Sequence, residues 1–389
     1  MARAEANPTP ALLTWARTSS GLAIDAAAKR ATVATERLAA WEAGEQKPTF
    51  AQLRKLAVIY KRPLAIFYLL ELPRQFEPMH DFRRAAEPNG LPQSPELTLE
   101  VRRARDRREW ALELLRDIEE EPPQIRIAGS LDQGPENASA AVRDFLGVSL
   151  ERQSTWRTDY EAFKQWRLLI ENTGILTFQA NGVETAEARG FSISERPLPV
   201  AVANIKDAPR GRIFTLLHEV AHILLNDGGI CDLHESHENE GSRIEAFCNH
   251  VAGAVLFPKE ALLAMDVVLR HRKGDPAWTD QELAELSRRF GGSREAALVR
   301  LLTLGLTTER YYREKRDEFL KLYIEQRKRQ KGFAPPLEVA LTSAGPTFTS
   351  LVIESFNRER ITASDVSDYL QIRLKHLADV QRDYSKLAV

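Results

Sequence analysis

Cysteine is scarce: 389 residues hold only Cys231 and Cys248, which excludes a disulfide framework and fits a reducing cytoplasm. No apolar run approaches the roughly 20 residues needed to span a bilayer, so no membrane partner is expected. The opening "MARAEANPTPALL" lacks the apolar stretch and cleavage-site pattern of a secretory signal. Net charge is nearly nil, at -1, which excludes a polycation that coats nucleic acid indiscriminately; any such contact must be local. What remains is an ordinary globular mixture, 43% hydrophobic and 28% charged, in a chain too long for a single core.

Apolar spacing in "ALLTWA", "LRKLAVIY" and "LAIFYLL", with breaks at Gly21, Gly44, Pro48 and Pro63, predicts four or five short helices over residues 10–70. A Pro-rich polar stretch follows, read as a linker from residue 73. Residues 94–121 read as one long helix whose dense Arg and Glu form a solvated face. "FKQWRLLIENTGILTFQ" reads as a helix turning through a glycine into a strand. "RGFSISERPLPVAVANI" holds two short β-like runs separated by "SERPLP". Two helices come next, the second stopped at Pro258, and the chain reads as wholly helical beyond Asp280, with a last block over residues 348–387. The expected domains are 1–72, a linker and charged helix over 73–150, a central domain over 151–270, and a helical region over 271–389. The expected fold class is α+β, predominantly helical, with a small sheet in the central domain.

The chemistry concentrates in "FTLLHEVAHILLN", residues 214–226. Residues four apart share a helix face, so His218 and His222 can offer imidazole nitrogens to one Zn²⁺. Glu219 stands beside the first histidine, where a carboxylate can take a proton from water and return it to a leaving amine. A catalytic zinc keeps three protein ligands, and the candidates for the third are His234 and His237 in the following loop and Glu245 at the start of the next helix. Leu225 and Gly228 stand where a metzincin has Gly and His, which excludes that class. A glutamate from a downstream helix gives a His₂Glu site instead. Cys231 and Cys248 could approach the ion, but read better as buried or idle thiols.

"RGRIFTLLHEVAHILLN" followed by "RIEAFCNHVAGAVLFP" resembles the ImmA/IrrE zinc peptidase family over about residues 160–265. The resemblance implies a zincin-like domain with His218, His222 and Glu245 as metal ligands, Glu219 as general base and Asn249 beside the site. It also implies cleavage of a specific regulatory protein, a repressor or toxin-like partner, without digestive breadth. The run "PVAVANI" would then be the edge strand that a substrate peptide joins, or else a plain core strand.

Residues 21–57, chiefly "WEAGEQKPT" and "QLRKLAVIY", resemble a Cro/repressor-type (XRE family) helix-turn-helix. Ten Lys or Arg stand against five Asp or Glu over residues 1–70, so phosphate contact is a local expectation, through Lys29, Arg30, Thr35 and Arg37. The reading helix lacks the Gln and Asn of base readout, which leaves operator DNA or a docked protein as partner. A homodimer is compatible with either. The segment "QELAELSRRFGGSREAALVRLLTLG" has a similar outline but suits packing better. Two functions compete: a zinc endopeptidase that also regulates transcription, and a DNA-binding antitoxin or repressor of a toxin-antitoxin operon whose zincin domain is a scaffold for a partner.

Overall fold

The computed structural model describes residues 5–69, 94–125, 127–226, 238–272, 274–329 and 335–385. The expected linker, the loop histidines His234 and His237, and Cys231 lie outside them. The chain divides into two compact units, residues 1–103 and 104–389.

In the first unit, α1 (Pro10–Thr18), α2 (Ile24–Ala31), α3 (Thr35–Glu42) and α4 (Phe50–Ile59) are followed by a 3₁₀ turn over Leu64–Tyr68. Thr49 and Gln52 form a reciprocal capping box that starts α4. Leu13, Leu38, Trp41, Leu53, Leu56, Tyr60 and Phe67 meet in its core. Arg17 pairs with Glu42 at 2.8 Å, joining α1 to α3.

The division falls within α5 (Pro95–Asp117), the long helix expected from the charge pattern. Its charges are not all solvated as expected, because Glu100, Arg107 and Arg108 are buried. Arg108 donates to the carbonyls of Glu195, Pro197 and Leu198, and Arg107 to that of Ser343. A guanidinium carries five donors, so it can close several carbonyls that a tight turn leaves unpaired.

The second unit continues with α6 (Pro135–Leu146), α7 (Leu150–Ser154) and α8 (Asp159–Glu171). Three strands follow: β1 (Leu176–Ala180), β2 (Gly190–Ile193) and β3 (Val200–Asn204). The strand order is β1-β3-β2, with β1 parallel and β2 antiparallel to β3. The "PVAVANI" run is therefore the middle strand, and the edge-strand expectation for it is wrong. Its unbroken burial is what a strand paired on both sides and covered on its faces requires. β2, the run before it, is an edge of this sheet.

Two long helices follow, α9 (Pro209–Asn226) and α10 (Glu238–Leu256), which pack against each other. α9 also lies on β2 and β3. Leu217, Val220, Ala221 and Leu224 of α9 share one core with Val251, Ala252 and Val255 of α10 and with Trp166 of α8. Beyond come α11 (Lys259–Leu263), α12 (Asp266–Arg270), α13 (Asp280–Phe290), α14 (Arg294–Thr303) and α15 (Glu309–Arg329). α13 and α14 bury Leu283, Leu286, Leu298 and Leu301 in that same core, in keeping with a packing role for the "GGS" turn between them. The chain ends in α16 (Pro336–Ala344), α17 (Pro346–Asn357), α18 (Ala363–Leu370) and α19 (Leu377–Ser385). α16 falls within the stretch read as wholly helical, although the sequence did not mark it as a separate helix; it packs on β1, and Phe348 of α17 meets Phe178 edge-on at 6.0 Å. Among the described residues no helix is long and apolar enough to cross a membrane.

Candidate metal centre

Just before α9, Asp207 accepts from the backbone N–H of Ala208 at 2.8 Å, and Pro209 supplies a first helical residue with no N–H to satisfy. From there the apolar residues of the helix face the core, yet Thr215, His218, Glu219 and His222 are buried with them. α10 starts at Glu238, seven residues before Glu245, so Glu245 does not begin that helix as the sequence suggested. It stands about two turns inside, where a rigid backbone aims it at α9.

The Nε2 atoms of His218 and His222 are 3.0 Å apart. Glu245 Oε1 is 3.2 Å from His222 Nε2, and Oε2 is 3.4 Å from His218 Nε2. His218, His222 and Glu245 each offer one ligand atom, all lying within 4.8 Å of one another. A tetrahedral ion with bonds of 2.0–2.1 Å sets its ligand atoms about 3.3 Å apart, so the spacing and the N, N, O donor set both fit Zn²⁺.

Between these residues alone, electrostatics favour a shared charge. Burial works against an imidazolium at His222, but hydrogen bonding to Cys248 and Glu245 outweighs it and carries the pKa up to about 10. Burial likewise works against the Glu245 carboxylate, and hydrogen bonds from His218 and His222 prevail, holding it down at about 2. A cation is thus wanted where these three meet. Cys248 is fully buried, which pushes its thiol pKa up, and it hydrogen-bonds His222 without joining the three. Asn249 is half-buried on α10.

Glu219 is buried beside the three ligand candidates. Gly190 of β2 lies against it: a Cβ added at Gly190 would stand 3.2 Å from Glu219 Oε1, 2.3 Å from Thr215 Cγ2 and 2.4 Å from the Val202 carbonyl. The sequence reading missed Gly190 and Thr215. Thr215 could have been found, since it precedes Glu219 by four residues and so shares its helix face; Gly190 could not, because only strand pairing brings it there.

Residues 170–302 match the Peptidase_M78 family, described as the IrrE N-terminal-like domain. The match is to a metallopeptidase-like domain, and it takes in the sheet, α9 and α10 with all three converging residues, and most of α14. No curated protein and no solved structure gives a match.

In the first unit, Lys29 and Arg30 are exposed at the end of α2, Thr35 is half-buried at the start of α3, and Arg37 is exposed. The Arg37 guanidinium lies 5.7 Å above the Trp41 ring. Lys55 donates to the Thr32 hydroxyl at 3.0 Å, linking α4 to the turn between α2 and α3. The other exposed positions of α3 are Glu36 and Ala39.

Proposed function

We propose that the second unit is a zinc endopeptidase that cleaves a specific regulatory protein in the cytoplasm. The observation that carries this reading is the convergence of His218, His222 and Glu245, with Glu219 beside them, inside the span that resembles a peptidase family. When bound, Zn²⁺ supplies Lewis acidity towards a peptide carbonyl and a water. Glu219 takes the water's proton on its carboxylate and hands it to the leaving amine. His218, His222 and Glu245 hold the ion, and Asn249, one turn beyond Glu245, is placed to steady a ligand or the substrate. The peptide-docking role passes from β3 to β2. Asn204 donates to the Arg189 carbonyl, so by ladder alternation Gly190 and Ser192 turn their N–H and C=O groups away from β3, toward an added strand.

The rival reading is a DNA-binding antitoxin or repressor in which the same domain only holds a partner. The exposed Lys29, Arg30 and Arg37 favour a regulatory role for the first unit, through operator DNA or a docked protein. Glu219→Gln separates the two readings, since the amide is nearly isosteric and cannot accept the proton. The variant should keep zinc and fold but lose cleavage of the adjacent gene's product by about 10²–10⁴-fold, and the cellular phenotype should fail with it. A wild-type phenotype in that variant, with the partner uncut by either protein, would sink the peptidase reading.

A further inference from the structure

On α9 a buried hydroxyl without a partner stands one turn from a buried carboxylate. The Thr215 side chain is 1% exposed, and its hydroxyl has no hydrogen-bond partner among the described residues. The Glu219 residue is 4% exposed. A buried hydroxyl left unsatisfied costs on the order of 1–3 kcal/mol, and a buried carboxylate needs donors still more. One is a donor and the other an acceptor, they stand one helical turn apart on one face, and both border the space a Cβ at Gly190 would take, Thr215 through its methyl and Glu219 through Oε1.

We infer that the Thr215 hydroxyl donates to the Glu219 carboxylate through one bridging water and fixes it against the Gly190 backbone. Thr215 is then a positioning residue for the general base. A hydrogen bond to one carboxylate oxygen leaves the other to meet the proton, and it prevents the side chain from rotating toward His222 or Glu245. Gly190 is the third part of the seat. Any side chain there would enter the volume held by the Thr215 methyl and the Glu219 carboxylate, so the strand backbone itself forms the floor under the base. The consequence for catalysis rests on the peptidase reading, whereas the contact itself does not.

Thr215→Val tests the contact, because it keeps the branched shape and the methyl against Gly190 while removing the hydroxyl. The first measurement needs no peptidase activity. Thermal melts of the metal-free protein are compared in a cycle with Glu219→Met, which keeps volume and removes the acceptor. Thr215→Val should lower the melting temperature when Glu219 is present and leave it unchanged or higher when Met replaces it. An equal shift in both backgrounds would overturn the inference. The second measurement uses the zinc-loaded protein on its partner. Thr215→Val should lower kcat about 10–100-fold with KM and zinc content unchanged, as loss of a supporting hydrogen bond does, and Thr215→Ser should restore most of it. Unchanged kcat in a wild type that cleaves would also overturn it. Coupling in the melts, in a protein that cleaves nothing, would uphold the contact and count against the peptidase reading alone.

Discussion

The C-terminal helices are attached to the sheet by a buried polar network whose strength can be worked out. Glu171, at the end of α8, is 5% exposed and ion-paired to Arg167 at 3.4 Å. It accepts from the Thr177 hydroxyl on β1 and from both the N–H and the hydroxyl of Thr347 on α17, at 2.9 and 2.6 Å. Arg167 in turn donates to Thr177 Oγ1, to the Thr177 carbonyl and to the Thr342 carbonyl at the end of α16. Gly345, with φ of 86°, closes the join, since a Cβ there would stand 2.5 Å from the Thr177 carbonyl. Glu171→Ala strands two Thr347 donors and leaves Arg167 without its carboxylate. Removing one partner of a buried pair costs about 3–5 kcal/mol, and in a unit of this size each kcal/mol lowers Tm by roughly 2–4 °C, so a fall of about 10 °C is expected. Glu171→Gln keeps the volume and one acceptor and should fall about half as far. Scanning calorimetry of the full chain measures both. If both variants melt within about 2 °C of the wild type, the network does not hold the C-terminal helices and the reasoning fails.

Zinc affinity should rise with pH. His222 must be neutral to bind a metal, and its raised pKa means that a proton is displaced; one displaced proton gives about a tenfold gain per unit between pH 6 and 8. The His222 contribution to stability without zinc runs the other way: it is fully present below the ordinary imidazole pKa and is lost as pH rises through the raised value. A zinc Kd that is flat over that range, by competition with a chromophoric chelator, would remove His222 from the ligand set. If the first unit binds an operator, replacing Lys29, Arg30 and Arg37 should weaken that binding and reduce the salt slope by about 0.9 for each phosphate that the variant no longer neutralises. If the wild type fails to retard its own promoter DNA at modest salt, the unit docks protein instead.

Local pattern made much of this structure readable, and the misses share one cause. The helix over residues 214–226 was legible because a 3.6-residue period acts within the segment itself, although its first turn, from Pro209, was not read. The two strand-like runs were legible as short β-like runs divided by "SERPLP", again a local signal. Which of them forms an edge was not, because pairing order depends on where β1 sits, some 20 residues earlier. α5 was legible as a helix and misread as solvated: Arg107 and Arg108 look like surface charges until the carbonyls of residues 195–198 and 343 arrive to be capped. The packing of α16 on β1 went unseen because that partner lies about 160 residues away.

The same contrast bears on what the metal centre is for. Thr215, His218, Glu219 and His222 of α9 and Glu245 of α10 stand in and beside an interface that is otherwise built mostly of Leu, Val, Ile and Ala, with Phe247 and Cys248. Apolar residues of similar volume would pack there at no desolvation cost, whereas buried ionisable groups require several kcal/mol of compensation. Sequences break their own patterning in this way chiefly at functional sites. A structural tie for a cation accounts for the two histidines and Glu245, whose spacing suits one ion. It gives no reason for Glu219, a buried carboxylate outside that set and held against a strand at a position only glycine can occupy. A buried carboxylate outside the ligand set, seated so closely beside it, is what proton transfer requires, and on that residue the choice between enzyme and scaffold turns.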